Sequence, residues 1–170
     1  ILPGELSVEI PPARIAQTAN ERKDEHGQAL DFFGVGRGSL GGGGLRSAGV
    51  QTFIRELWEL DKPTVAAVNG AAIGPGAHLA LACDFVFVHP RTRFMWTFAK
   101  WGLVADAGGA YLLPRLVGLS KAKAMVMLGE GATGAEAVDL GLAYRCVDDP
   151  AALIADALAV ARHLAAGPTR

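Results

Sequence analysis

The chain has 170 residues, 51% of them apolar, with 16 Lys and Arg against 17 Asp and Glu for a net charge of −1. That is one domain's worth of chain with material for a buried core, which excludes disorder over most of the length. With no basic excess to neutralise phosphates, nucleic acid is not an expected partner.

Residues 1–49 read as an irregular, Gly- and Pro-rich segment. Pro3, Pro11 and Pro12 break any early element, residues 20–28 are polar without an apolar period, and Ala29–Val35 suits at most a short strand. The change of composition there sets 1–49 apart from 50–170. Val50, Phe53, Ile54, Leu57 and Leu60 then fall at helical spacing, and Asp61-Lys62-Pro63 ends that helix. Thr64–Val68 (TVAAV) predicts a buried strand, Asn69-Gly70 a turn, and Gly76–Cys83 a tightly packed helix of small residues. Strands are expected at Asp84–His89, Phe94–Phe98 and Ala143–Val147. Helices are expected over Ala107–Leu116, limited or kinked by Pro114, and over Ser120–Leu128. Thr133 and Glu136 form a capping box opening a helix to about Leu140, and Pro150–Ala165 is a long helix with proline in its first turn. Strands alternating with helices give an α/β class with right-handed crossovers, and no internal repeat is visible.

Cys83 and Cys146 lie far apart without CxxC spacing, so neither a disulfide scaffold nor a structural zinc site is expected. His26, His89 and His163 have no partners at ligand spacing. No apolar stretch approaches the roughly 18 residues of a membrane span, and no basic-then-apolar leader opens the sequence, so a membrane partner is not expected and a cytoplasmic location is. Residues 36–41 match GxGxxG. Three further glycines delay any helix after them, and the acidic residues about 20 positions on, Glu56 and Glu59, fall on a helix rather than a strand end. A flexible loop is the better reading. The second glycine segment, KPTVAAVNGAAIGPGAHLALACD over 62–84, sets a Gly-Pro-Gly loop between a buried strand and a helix. Its backbone N–H groups could hold a developing anion, or Gly74 and Gly76 could be packing and turn residues only.

That segment, followed by FAKWGLVADAGGAYLLPRLVG and GEGATGAEAVDLGLAYRCVD, resembles the crotonase family, the enoyl-CoA hydratase/isomerase superfamily, in the family's order and close to its spacing. The resemblance covers Val50 to about Asp149. It implies a crotonase-like stacked ββα spiral, incomplete here, and an acyl-CoA thioester as substrate with no other cofactor. It also implies assembly into trimers or hexamers, although the C-terminal helices that build the trimer contact are not found. Residues 1–49 lack the loop that gives such enzymes a first oxyanion donor. The closest run, Leu40–Leu45, has no aspartate.

Carried over residue by residue, the resemblance assigns Gly74, Pro75 and Gly76 to the oxyanion loop. Proline at its middle position has no N–H, so either Gly76 or its neighbour donates, or that half of the hole is lost. The two glutamates that handle water in hydratases match His78 and Phe98. Asp106 stands where isomerase-type members carry an aspartate together with a phenylalanine at the position of Phe98. One carboxylate can take a proton from one carbon and return it to another. Asp106 could also simply N-cap a helix starting at Ala107. His78 is either a pocket-wall histidine or a polar group facing the thioester. Phe94, Trp96, Phe98 and Trp101 are pocket or core, with Phe98 and Trp101 assigned to substrate binding, and Cys83 is inert. The expected activity is double-bond isomerisation through a thioester enolate. The rivals are a hydratase or hydrolase using His78, and a non-catalytic acyl-CoA-binding or structural relative.

Overall fold

The structure is a computed structural model that describes residues 14–18 and 47–167. The GxGxxG motif, the strand expected at Ala29–Val35 and the run Leu40–Leu45 lie outside the described residues. In chain order the elements are β1 (Arg14–Thr18), α1 (Ser47–Trp58), β2 (Thr64–Val68), β3 (Ala71–Ile73), α2 (Pro75–Leu81), β4 (Phe85–Val88) and β5 (Arg93–Met95). A 3₁₀ turn at Phe98–Trp101 follows, then α3 (Gly109–Lys123), which runs into a wide turn at Ala124–Leu128. The chain continues through β6 (Ala132–Thr133), α4 (Gly134–Asp139), β7 (Arg145–Cys146) and α5 (Pro150–Ala165).

Two sheets form. One is parallel, in the order β1-β2-β4-β7; the other has the order β3-β5-β6, with β3 parallel and β6 antiparallel to β5. A β-β-α unit therefore occurs twice in succession, as β2-β3-α2 and β4-β5-α3, a structural repeat with no counterpart in the sequence. One strand, β1, comes from the segment expected to be irregular, and its residues Arg14–Thr18 pair in register with Thr64–Val68. All five residues of β2 are buried, as a parallel strand covered on both faces requires. The starts of β2 and β4 are tied together by Asp84, whose carboxylate accepts from the Thr64 N–H (2.7 Å) and hydroxyl (2.8 Å). The Asp84 N–H donates back to Thr64 Oγ1 at 3.0 Å.

The core has two parts, one on each face of the parallel sheet. Val65, Ala67 and Phe87 meet Leu153, Ala157 and Ala161 of α5. Ala66, Val68, Val86 and Val88 join a larger cluster with α2, Trp96 and the start of α3. The capping box at Thr133 and Glu136 is present, and Asp149 caps α5 by accepting from the N–H groups of Ala151 and Ala152. The two helices expected between residues 107 and 128 are both present within α3 and its continuation, parted at Gly118, whose φ of 77° and ψ of 161° leave helical space; Pro114 stays within the first, which starts at Gly109 rather than Ala107. No helix among the described residues is long and apolar enough to cross a membrane.

Candidate active site

The site is built where β3 and β5 end. Gly74 follows β3 at φ 52°, and its N–H donates to the Met95 carbonyl at 2.8 Å. A Cβ here would lie 3.2 Å from the Phe98 ring, so both the backbone angle and the close approach call for glycine. Pro75 then opens α2, where its missing N–H costs the helix nothing. Gly76 and Ala77 follow in the first turn, where N–H groups have no intrahelical acceptor.

One turn into α2, His78 points into the interior and is fully buried. The Trp96 indole N–H donates to its Nε2 at 3.1 Å. The Phe98 ring stacks on it, with centroids 5.6 Å apart and planes 7° from parallel. On another side lies Gly109, where any Cβ would collide with the imidazole. Burial pushes the His78 pKa down from 6.5 to about 4, against the opposing pull of the Asp106 charge and the carbonyls of Asp106 and Ala107. A neutral ring whose Nε2 accepts carries its proton on Nδ1. Nδ1 is itself buried, with no oxygen in hydrogen-bonding geometry among the described residues.

Asp106 sits in a tight turn. Its N–H donates to the Val104 carbonyl at 2.9 Å and its carbonyl accepts from the Gly109 N–H at 2.9 Å. Ala107 follows at φ 47°, and Gly108, at φ 81°, is the N-cap of α3 and contributes no side chain to it. The expectation that Asp106 caps this helix is thereby corrected, because the turn delays the helix by two residues. The turn instead sets Asp106 in the wall of a cleft of about 790 Å³ between α1 and the start of α3, with Ile54, Trp58, Ala105, Tyr111 and Leu112. Such a volume suits a small-molecule site. Trp58 and Tyr111 meet edge to face at 6.0 Å, and the Arg115 guanidinium lies 3.5 Å from the Tyr111 ring centre. Arg55 and Glu59 also border the cleft, 4.0 Å from one another on the exposed face of α1.

Of the residues singled out in the sequence, His78, Phe98 and Gly74 form one packed group, and Asp106 lies close enough to act electrostatically on the imidazole. Pro75 and Gly76 open α2 beside that group but do not line the cleft. Trp101 departs from the pocket-or-core expectation: it is 76% exposed, on a 3₁₀ turn closed by Gly102 at φ 66°. Cys83 is buried and its thiol is pushed up to about 12 by burial, which keeps it protonated and inert. Sequence reasoning missed the partnership of Trp96 with His78 and the contact of Gly109 with the ring. The Gly108-Gly109 pair after Asp106 was the available signal for a close approach. Among the described residues no group of three His, Cys, Asp or Glu is placed to hold a metal ion.

The sequence profile of the family described as enoyl-CoA hydratase/isomerase matches residues 30–170. Among curated proteins, the 1,2-epoxyphenylacetyl-CoA isomerase of Escherichia coli K12 is 34% identical over 92% of this chain and 66% of its own. Among solved structures, an enoyl-CoA hydratase/isomerase from Cupriavidus metallidurans is 38% identical, with a TM-score of 0.68 over 72% of this chain and 46% of that one. The enoyl-CoA hydratase of Bacillus anthracis is 30% identical, with a TM-score of 0.68 over 71% and 46%. This chain thus spans about two thirds of the curated relative and less than half of either solved chain.

Proposed function

The chain belongs to the enoyl-CoA hydratase/isomerase family, and from that premise we propose that it isomerises an enoyl-CoA through a thioester enolate, with Asp106 as the proton carrier. In this reading the Asp106 carboxylate takes a proton from C2 of a 3-enoyl-CoA. The C2–H pair flows into the thioester, charge grows on its oxygen, and the dienolate collapses when the same carboxylate returns the proton to C4. The product is the 2-enoyl isomer, and Asp106 ends as it began.

The observation that carries the reading is the contrast between the positions where a hydratase needs two proton-handling groups. One holds Phe98, which has no proton to exchange. The other holds His78, whose Nε2 is occupied by Trp96 and whose basicity is depressed to about 4. Asp106, by contrast, borders the cleft that would receive the acyl group. Glu59 borders it too, but on the exposed outer face beside Arg55. Since Pro75 has no N–H and the Gly74 N–H is bound to Met95, the first-turn N–H groups of Gly76 and its neighbour Ala77, beside the His78 group rather than in the cleft wall, are the donors left for the enolate oxygen. The name of the Escherichia coli relative, an isomerase of a CoA thioester, accords with this chemistry. Assembly of copies belongs to the same proposal. It is supported by Leu119, Met127 and Leu128, which are exposed on and after α3.

The test is product analysis. Incubation with a 3-enoyl-CoA should give the 2-enoyl isomer, and a 2-enoyl-CoA should gain little or no water. Efficient hydration in place of isomerisation would remove the reading.

A further inference from the structure

The turn that presents Asp106 is conformationally costly. Ala107 is held at φ 47°, a left-handed angle that residues with a Cβ adopt reluctantly, and it is buried. Such a turn persists only when its surroundings over-determine it. What stands behind it is the His78 ring. Gly109 lies so close to the imidazole that no side chain fits between them. Phe98 stacks on the ring, and Trp96 fixes its edge by a hydrogen bond to Nε2. The remaining nitrogen, Nδ1, is a buried donor with no hydrogen-bond partner among the described residues. The backbone carbonyls of Asp106 and Ala107 and the Asp106 carboxylate are near enough to attract its proton, though none of them stands in bonding geometry.

A buried donor left unpaired is expensive and calls for a reason. Hydrogen bonds at a catalytic turn are often long in the empty protein and tighten when ligand is bound. Resting on the reading of Asp106 as the proton carrier, we propose that His78 is a positioning residue: Trp96 locks its ring as the Nδ1–H tautomer, and that N–H braces the Asp106–Ala107 turn from within as acyl-CoA binds. His78 then touches no substrate. It sets where the carboxylate stands, and a small displacement of a reacting group can cost about 100-fold in rate.

Two substitutions separate this from a merely structural histidine. His78→Gln keeps an acceptor at the Nε2 position for Trp96 but has no donor where Nδ1 was. His78→Asn supplies an amide N–H at the Nδ1 position but leaves the Trp96 N–H without an acceptor. The expected result is a crossing. His78→Gln should melt and bind near the parent values, with KM kept and kcat down roughly 10- to 100-fold. His78→Asn should melt lower and keep kcat within a few-fold. If kcat instead follows melting temperature through both variants, the imidazole is only a packing element and the proposal is overturned.

If the parent shows no isomerase turnover, the reading of Asp106 falls, and ring-nitrogen NMR decides the positioning role separately. A protonated Nδ1 and bare Nε2 from pH 5 to 8, with the Nδ1 signal shifting when a non-reactive acyl-CoA thioether is added, upholds the brace. A proton on Nε2, or an Nδ1 signal indifferent to the thioether, overturns it.

Discussion

Alternate residues of β2 and β4 face two different helices. Toward α5 the sheet presents Val65, Ala67 and Phe87 to Leu153, Ala157 and Ala161, an apolar contact among these six side chains. Toward α2 the same strands present Ala66, Val68, Val86 and Val88, but the layer beyond holds a buried imidazole, an indole N–H spent on it, and a left-handed alanine. The first face is what hydrophobic burial alone would select. The second departs from that ideal at His78, Trp96 and Ala107, and those departures converge on Asp106. Where a chain gives up simple packing in several places at once, a site is the usual cause.

The sharpest way to break this contrast is at the carboxylate. Asp106→Asn should lower isomerisation by about 10²- to 10⁴-fold, the usual worth of a general acid–base group, at nearly unchanged stability, because Gly108 rather than Asp106 caps α3. Steady-state kinetics beside urea unfolding would check both halves. On the opposite face the order should reverse. Phe87→Ala, at a fully buried position, should cost about 3–5 kcal/mol of stability while turnover per folded molecule stays unchanged. A fall in that turnover would mean that the two faces are coupled.

A pH series sharpens the comparison further. His78 is depressed to about 4 when folded against 6.5 when unfolded, so below 6.5 the unfolded chain binds the extra proton. The stability held by the neutral ring is complete above pH 6.5 and is lost as pH falls through 6.5 toward 4. It amounts to roughly 3 kcal/mol at most, at 1.36 kcal/mol per pKa unit. Urea midpoints at pH 7 and pH 4.5 should show this fall, and His78→Gln should flatten it. A parent whose midpoint is indifferent to pH over that range would contradict the buried, neutral imidazole.

The smallest effect is expected at Pro75. Pro75→Gly restores an N–H at the loop's middle position and should cost about 0.5–1 kcal/mol through the freer unfolded chain. If Gly76 already serves the enolate oxygen, kcat should stay within about twofold. A gain of tenfold or more, about what one added donor is worth, would move the donor to position 75.

Much of the fold was legible because it rests on local rules. TVAAV reads as a buried strand and is one, the Thr133–Glu136 box caps α4, and Pro150 opens α5 behind its Asp149 cap. Acidic residues before a helix look alike in sequence, however, and only the turn through Ala107 distinguishes Asp106 from a true cap such as Asp149. β1, with the polar text RIAQT, is a strand because β2 offers it an edge, and no local pattern declares that. The parting of two helices between Leu116 and Ser120, by contrast, was legible, and Gly118 supplies the break. At the site, His78, Phe98 and Asp106 were visible as candidates through the family's motif. The Trp96–His78 bond joins residues 18 apart on different elements, and only the fold brings them together.

One measurement tests the central claim most directly. A 3-enoyl-CoA carrying deuterium at C2 is converted in ordinary water, and the product is examined at C4 by NMR and mass spectrometry. A single carboxylate that lifts the label from C2 and delivers it to C4 predicts 2-enoyl-CoA with part of the deuterium at C4, and no such product with Asp106→Asn. A product without label at C4, together with water addition to 2-enoyl-CoA at a comparable rate that survives Asp106→Asn, would contradict the account.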